Sequence, residues 1–117
     1  MNNTTELKAA EILESAAAVI QGGFWTQAAF ARTAIGGRPV GHDTVGAGCW
    51  CALGAMREAA DTLRAGHLAY ELAEKTIERR SDVGFARVPG WNDAASEPME
   101  VAQAMWEAAA ALKEAKQ

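Results

Sequence analysis

The chain has 117 residues, of which 50% are hydrophobic and 22% charged, and its net charge is −4. That length fits one domain spanning residues 1–117, and the composition excludes an intrinsically disordered chain. The mild acidity lacks the basic surplus of a nucleic-acid binder, so no direct nucleic-acid contact is expected.

The first predicted element is a helix over "NTTELKAAEILESAAAVIQ". Asn3 followed by Glu6 has the form of a capping box, and Gly22-Gly23 supplies the stop. Leu7, Ala10, Leu13, Ala17 and Ile20 recur at helical spacing as the core stripe, with Glu11 and Glu14 on the wetter side. The opening residues lack the basic and apolar runs of a secretory signal. No stretch reaches the roughly 18 consecutive apolar residues of a membrane span. A cytoplasmic protein with no membrane partner is therefore expected.

"FWTQAAFARTAIGGRPVG" follows as a glycine-rich excursion. Gly36-Gly37 marks a turn and Pro39 blocks a helix there, so a short β-hairpin or irregular excursion is preferred. A short helix over Trp25–Ala34 stays open.

"HDTVGAGCWCALGAMREAADTLRAG" restarts a helical period, with Asp43 or Thr44 as the cap. Val45, Cys49, Ala52, Leu53, Met56, Ala60 and Leu63 fall on one buried face. On a helix Cys49 and Cys51 project about 200° apart, so they neither share a metal nor close a disulfide. Two cysteines in all make no disulfide framework. His42 and His67 lack the local spacing of zinc ligands, so no metal and no cofactor are expected. No G-x-G-x-x-G or P-loop pattern occurs.

"HLAYELAEKTIERR" is the third helix, apolar along Leu68, Ala69, Tyr70, Leu72, Ala73, Thr76 and Ile77, with Arg79 and Arg80 at its C-terminal end. "SDVGFARVPGWNDAASEP" reads as a loop. The last helix begins near Ser96 or Glu97 with Pro98 in its first turn, and Val101, Met105, Ala108 and Leu112 form its stripe. The sum is a mainly α single small domain of about four helices with a glycine-rich excursion after the first.

Tryptophan is over-represented, at four of eight aromatics. Trp50 and Trp106 lie at the borders of their helical stripes, while Trp25 and Trp91 sit among small residues. Filling the space left by alanines is the favoured role; a partner hot spot or a platform for a planar ligand is the other. In "GWND", Asn92 and Asp93 beside Trp91 suit either a pinned turn or a ligand contact. His42 and His67 read as solvated loop residues. A glycine- and alanine-lined helix bordered by Trp50 or Trp106 also suits a homodimer.

Taken together, "FWTQAAFAR", "GGRPVG", "CWCALGA" and "GWNDAAS…VAQAM" resemble a family of small uncharacterised proteins from bacteria and tailed phages. The matching residues are Trp25 and Gln27, then Trp50, Cys51, Gly54 and Ala55, then Trp91, Asn92 and Asp93, within a likeness spanning Ala10 to Leu112. Where that family often has Asp-Gly at a hairpin tip, this chain has "TAIGGRP". The resemblance implies a phage or mobile-element setting and transfers no catalytic residue. The leading expectation is a non-catalytic protein that binds a host protein or protein complex, such as an anti-CRISPR-like inhibitor of host defence. The alternative is a small-ligand or nucleotide-binding protein with a pocket of tryptophan and arginine. Candidate contact residues are Trp25, Gln27, Arg38, Trp50, Arg80, Trp91, Asn92, Asp93 and Trp106.

Overall fold

In a computed structural model describing residues 4–80 and 87–114, helix α1 (Thr4–Gln21) runs through the centre and packs on three other helices. Its alanines Ala9, Ala10, Ala16 and Ala17 are buried with Ile12, Leu13 and Ile20, so neighbouring backbones approach closely. Leu7, expected on the core stripe, is instead exposed near the open end of the helix. The expected Asn3 cap lies outside the described residues.

After the Gly22–Gly23 stop the excursion forms the preferred hairpin. Strand β1 (Ala31–Arg32) pairs antiparallel with β2 (Pro39–Val40), Ala31 opposite Val40 and Arg32 opposite Pro39. Gly36 in the connecting turn has φ of +77°, a conformation that favours glycine. A third strand, β3 (Cys49–Trp50), covers the other side of β1, giving the order β2-β1-β3.

That third strand corrects the sequence reading of the next helix. Helix α2 (Ala52–Leu63) begins only after β3, so Val45 and Cys49 are not on its buried face. Val45 is fully exposed, and Leu63 is exposed at the far end. Asp43 and Thr44 do not cap it; they belong to a loop in which the Thr44 amide donates to the Gly41 carbonyl. The helical period ran on by coincidence through Gly46 and Gly48, where helix is costly and pairing with β1 wins. The cap is Cys51, extended at φ −76°, whose Sγ accepts from the Gly54 amide at 3.3 Å.

Helix α3 (His67–Glu78) buries Ala69, Ala73 and Ile77, whereas Leu68, placed on its apolar side by the wheel, is exposed. The expected loop beyond it holds a short helix, α4 (Val88–Ala94), while its residues 81–86 lie outside the described ones. This corrects the loop reading of that segment; the described residues contain five helices, the mainly α domain expected. "VPGWNDA" has poor helix propensity, and what holds it is the burial of Val88, Trp91 and Asn92. Helix α5 (Pro98–Glu114) starts where expected, with Pro98 first and the Glu100 carboxylate accepting from the Ser96 and Glu97 amides at 2.6 and 3.2 Å. Glu14 meets Lys113 at 2.6 Å and Gln21 meets Trp106 at 2.8 Å, so α5 lies antiparallel along α1. Among the described residues, no helix is long and apolar enough to cross a membrane.

Candidate functional site

Most of the motif residues come together in one buried polar knot centred on Asn92. Its side chain is 0% exposed, and Oδ1 accepts from Trp25 Nε1 at 2.7 Å and from the Ala52 amide at 2.9 Å. Its Nδ2 donates to the Thr26 carbonyl at 3.1 Å. Asn92 thus satisfies the first amide of α2 and ties the excursion to α4 at once. Gln27 Nε2 lies 3.0–3.1 Å from the carbonyls of Asn92, Asp93 and Ala95, at the C-terminal end of α4. Asp93 Oδ1 accepts from the Ala28 amide at 2.8 Å, and Ala28 sits at φ +64°, a conformation costly for a residue with a Cβ. Arg32 completes the knot, donating to Thr26 Oγ1 and to the Gly37 and Gln27 carbonyls.

The other candidates divide. Trp91 is buried in the main core, and Trp25 and Trp50 pack half-buried against it. Trp106 stays on the surface of α5, its Nε1 donating to Gln21. Arg38 is exposed at the start of β2, and Arg80 pairs with Glu107 at 2.6 Å. Neither arginine takes part in the bonds of the Asn92 knot. The Gly/Ala face of α2 is covered by the chain itself, with Gly54 pressed on the Phe30 carbonyl.

Both cysteines are buried free thiols. Burial pushes the Cys51 thiol up from its ordinary value, outweighing the lowering effect of the Gly54 and Leu53 amides. It is a neutral helix cap at pH 7, not a thiolate nucleophile.

A second constellation was not foreseen. Loop 41–48, the outer face of α2 and the α2–α3 connection enclose a cleft of about 390 Å³ lined by His42, Asp43, Arg57, Asp61, His67 and Tyr70, among others. His42 Nε2 stands 3.1 Å from Asp61 Oδ2. Its backbone is anchored too, since Trp50 Nε1 donates to the His42 carbonyl at 3.0 Å. Arg57 Nε donates to the Tyr70 hydroxyl at 3.0 Å, and its guanidinium lies 4.7 Å from the centre of the Phe30 ring. Burial raises the Tyr70 pKa, so the phenol stays protonated. The two histidines read from sequence as solvated loop residues thus share one cleft. A local signal existed in Arg57, Glu58 and Asp61 on one helical face. The approach of His42 is long-range and left none. A separate cavity of about 200 Å³ lies between α1 and α2, lined mainly by the apolar Val19, Trp50, Ala55, Ala59 and Leu63, with Glu58 among its walls.

Neither the curated proteins nor the solved structures contain a match to this chain. Residues 4–111 match a family of unknown function, DUF6197, a span that takes in the excursion, the knot and the cleft. From the first turn of α1 to the last turn of α5, the chain belongs to that family.

Proposed function

We propose that this protein is a non-catalytic binding protein that presents the segment between α1 and α2, residues 24–50, to a protein partner. One observation supports the reading above others: the polar groups of the Trp25, Gln27, Asn92 and Asp93 motif bond to one another and to backbone. Such a knot performs no chemistry, but it holds in place a segment with little core of its own. The held segment carries apolar side chains outward, including Ile35 at 74% exposure and Val45. From the strand register, the β1–β2 turn and the residues entering β3 lie at the same end of the sheet. A fixed apolar surface binds with less loss of conformational freedom than a floppy one. The proposed setting is the cytoplasm of a bacterial host, with a host protein or complex as partner; inhibition of host defence from a phage or mobile element is the role the family resemblance implies.

The test is quantitative capture of host proteins by the purified chain and by an Ile35→Asp/Val45→Asp double variant. The double variant is expected to keep its melting temperature, because both side chains are solvated, and to lose the partner. A partner retained equally by both would sink the assignment to this surface. Trp91 is unsuitable for this purpose, since removing it from the core tests folding.

A second reading, small-ligand binding, is supported by the cleft, where Arg57, His42 and His67 offer positive or hydrogen-bonding groups beside Tyr70. Titration with a nucleotide panel, followed through tryptophan emission, is expected to report it because Trp50 is bonded to His42. An unchanged spectrum across the panel would discard nucleotides as the ligand.

A further inference from the structure

We infer that His42, Glu58 and Asp61 form a binding site for one divalent transition-metal cation, Zn²⁺ in the first instance. The three residues each place one ligand atom within 4.8 Å of the others, drawn from two separate elements of the fold. Glu58 and Asp61 are three residues apart on α2 and so share a face. His42 comes from the loop opposite, positioned by the Trp50 indole on its carbonyl.

One edge of the triangle already has the spacing of a metal site, and the others close by a small side-chain adjustment. Ligand atoms about 2.1 Å from a metal stand about 3.0 to 3.4 Å apart at neighbouring vertices. The 3.1 Å between His42 Nε2 and Asp61 Oδ2 is that edge. Binding needs the imidazole in its Nδ1–H tautomer, so that the Nε2 lone pair faces the ion. Glu58 is half-buried, and no hydrogen bond or ion pair links it to a partner among the described residues. Arg57, the nearest cationic side chain in sequence, is turned to Tyr70 and Phe30. A half-buried carboxylate near a second carboxylate, with an imidazole nitrogen against that second one, gains from a divalent charge that the chain does not itself supply.

The donor set of one nitrogen and two oxygens favours a transition ion over Mg²⁺, because imidazole suits zinc and its neighbours. His42 and Asp61 line the cleft and Glu58 the neighbouring cavity, so the ion would sit at the boundary of the two, with water completing its four-coordinate shell. The cysteines are not part of it: Cys51 Sγ is taken up by the Gly54 amide and Cys49 is buried in β3.

The experiment is calorimetric titration of the chelator-treated chain with ZnCl₂, and separately with MgCl₂. One equivalent of Zn²⁺ per chain is expected, with Mg²⁺ at least tenfold weaker. His42→Asn, Glu58→Gln and Asp61→Asn should each weaken Zn²⁺ by about tenfold or more, while their metal-free circular dichroism stays that of the parent. A Co²⁺-loaded parent chain gives a readout independent of the variants, its visible bands those of nitrogen and oxygen ligands. No stoichiometric uptake, uptake surviving all three substitutions, or a thiolate-to-cobalt band would each overturn the site. Mg²⁺ binding as tight as Zn²⁺ would overturn the transition-metal assignment.

Discussion

Asn92→Ala is expected to lower the unfolding free energy by about 4 kcal/mol, read as a fall in the urea midpoint with an unchanged slope. The substitution strips partners from the Trp25 indole N–H, the Ala52 amide and the Thr26 carbonyl together. A buried polar group left without its bond costs about 1–3 kcal/mol, and here three groups on two segments lose theirs at once. Asn92→Asp separates shape from chemistry: it keeps the acceptor and loses the amide donor. It also buries a carboxylate beside Asp93, whose Oδ1 is 3.2 Å from the present amide nitrogen. That variant is also expected to be strongly destabilised at neutral pH. A loss under about 1 kcal/mol for Asn92→Ala would mean the knot is dispensable.

Gly54→Ala should be destabilising by about 3 kcal/mol, although alanine in place of glycine ordinarily favours a helix by up to about 1 kcal/mol. The added methyl would collide with the Phe30 carbonyl, which is backbone and has no rotamer to escape into. That carbonyl also accepts from the Cys51 amide at 3.1 Å, so retreat breaks a bond at the start of α2. Gly46→Ala is the matched control. Nothing lies within 4 Å of its added methyl, and thermal unfolding should shift little. A Gly54→Ala chain that melts higher than the parent would show that the excursion is free to move off the helix.

The long periodic helices were legible because their patterns are local. Ala10, Leu13, Ala17 and Ile20 in α1, and Val101, Met105 and Ala108 in α5, are buried where helical spacing put them. The failures share one cause. The start of α2 was misread because Val45 and Cys49 fit the period, while pairing with Arg32, seventeen positions before Cys49, decided the matter. In α4 the glycine, asparagine and aspartate argue locally for a loop, whereas burial of Trp91 and Asn92 holds a helix. For "GWND" the sequence allows a pinned turn, and the bonds of Asn92 and Asp93 to Trp25, Thr26 and Ala28 are how the pinning is made; the hold of Asn92 on the first amide of α2 leaves no local sign. The cleft was invisible for want of a local sign: His42 and Asp61 lie 19 positions apart and meet only when the loop folds onto α2.

The bonds between the excursion and α4 join residues 65 to 68 positions apart. An emerging chain therefore makes α1, the hairpin and α2 long before residue 92 exists to fasten them. Until then the Trp25 indole, the Thr26 carbonyl and the first amide of α2 have only water for company. Closing so long a loop gives α4 the role of a latch, and the surface built from residues 24–50 takes its final form only once residues 92 and 93 are in place.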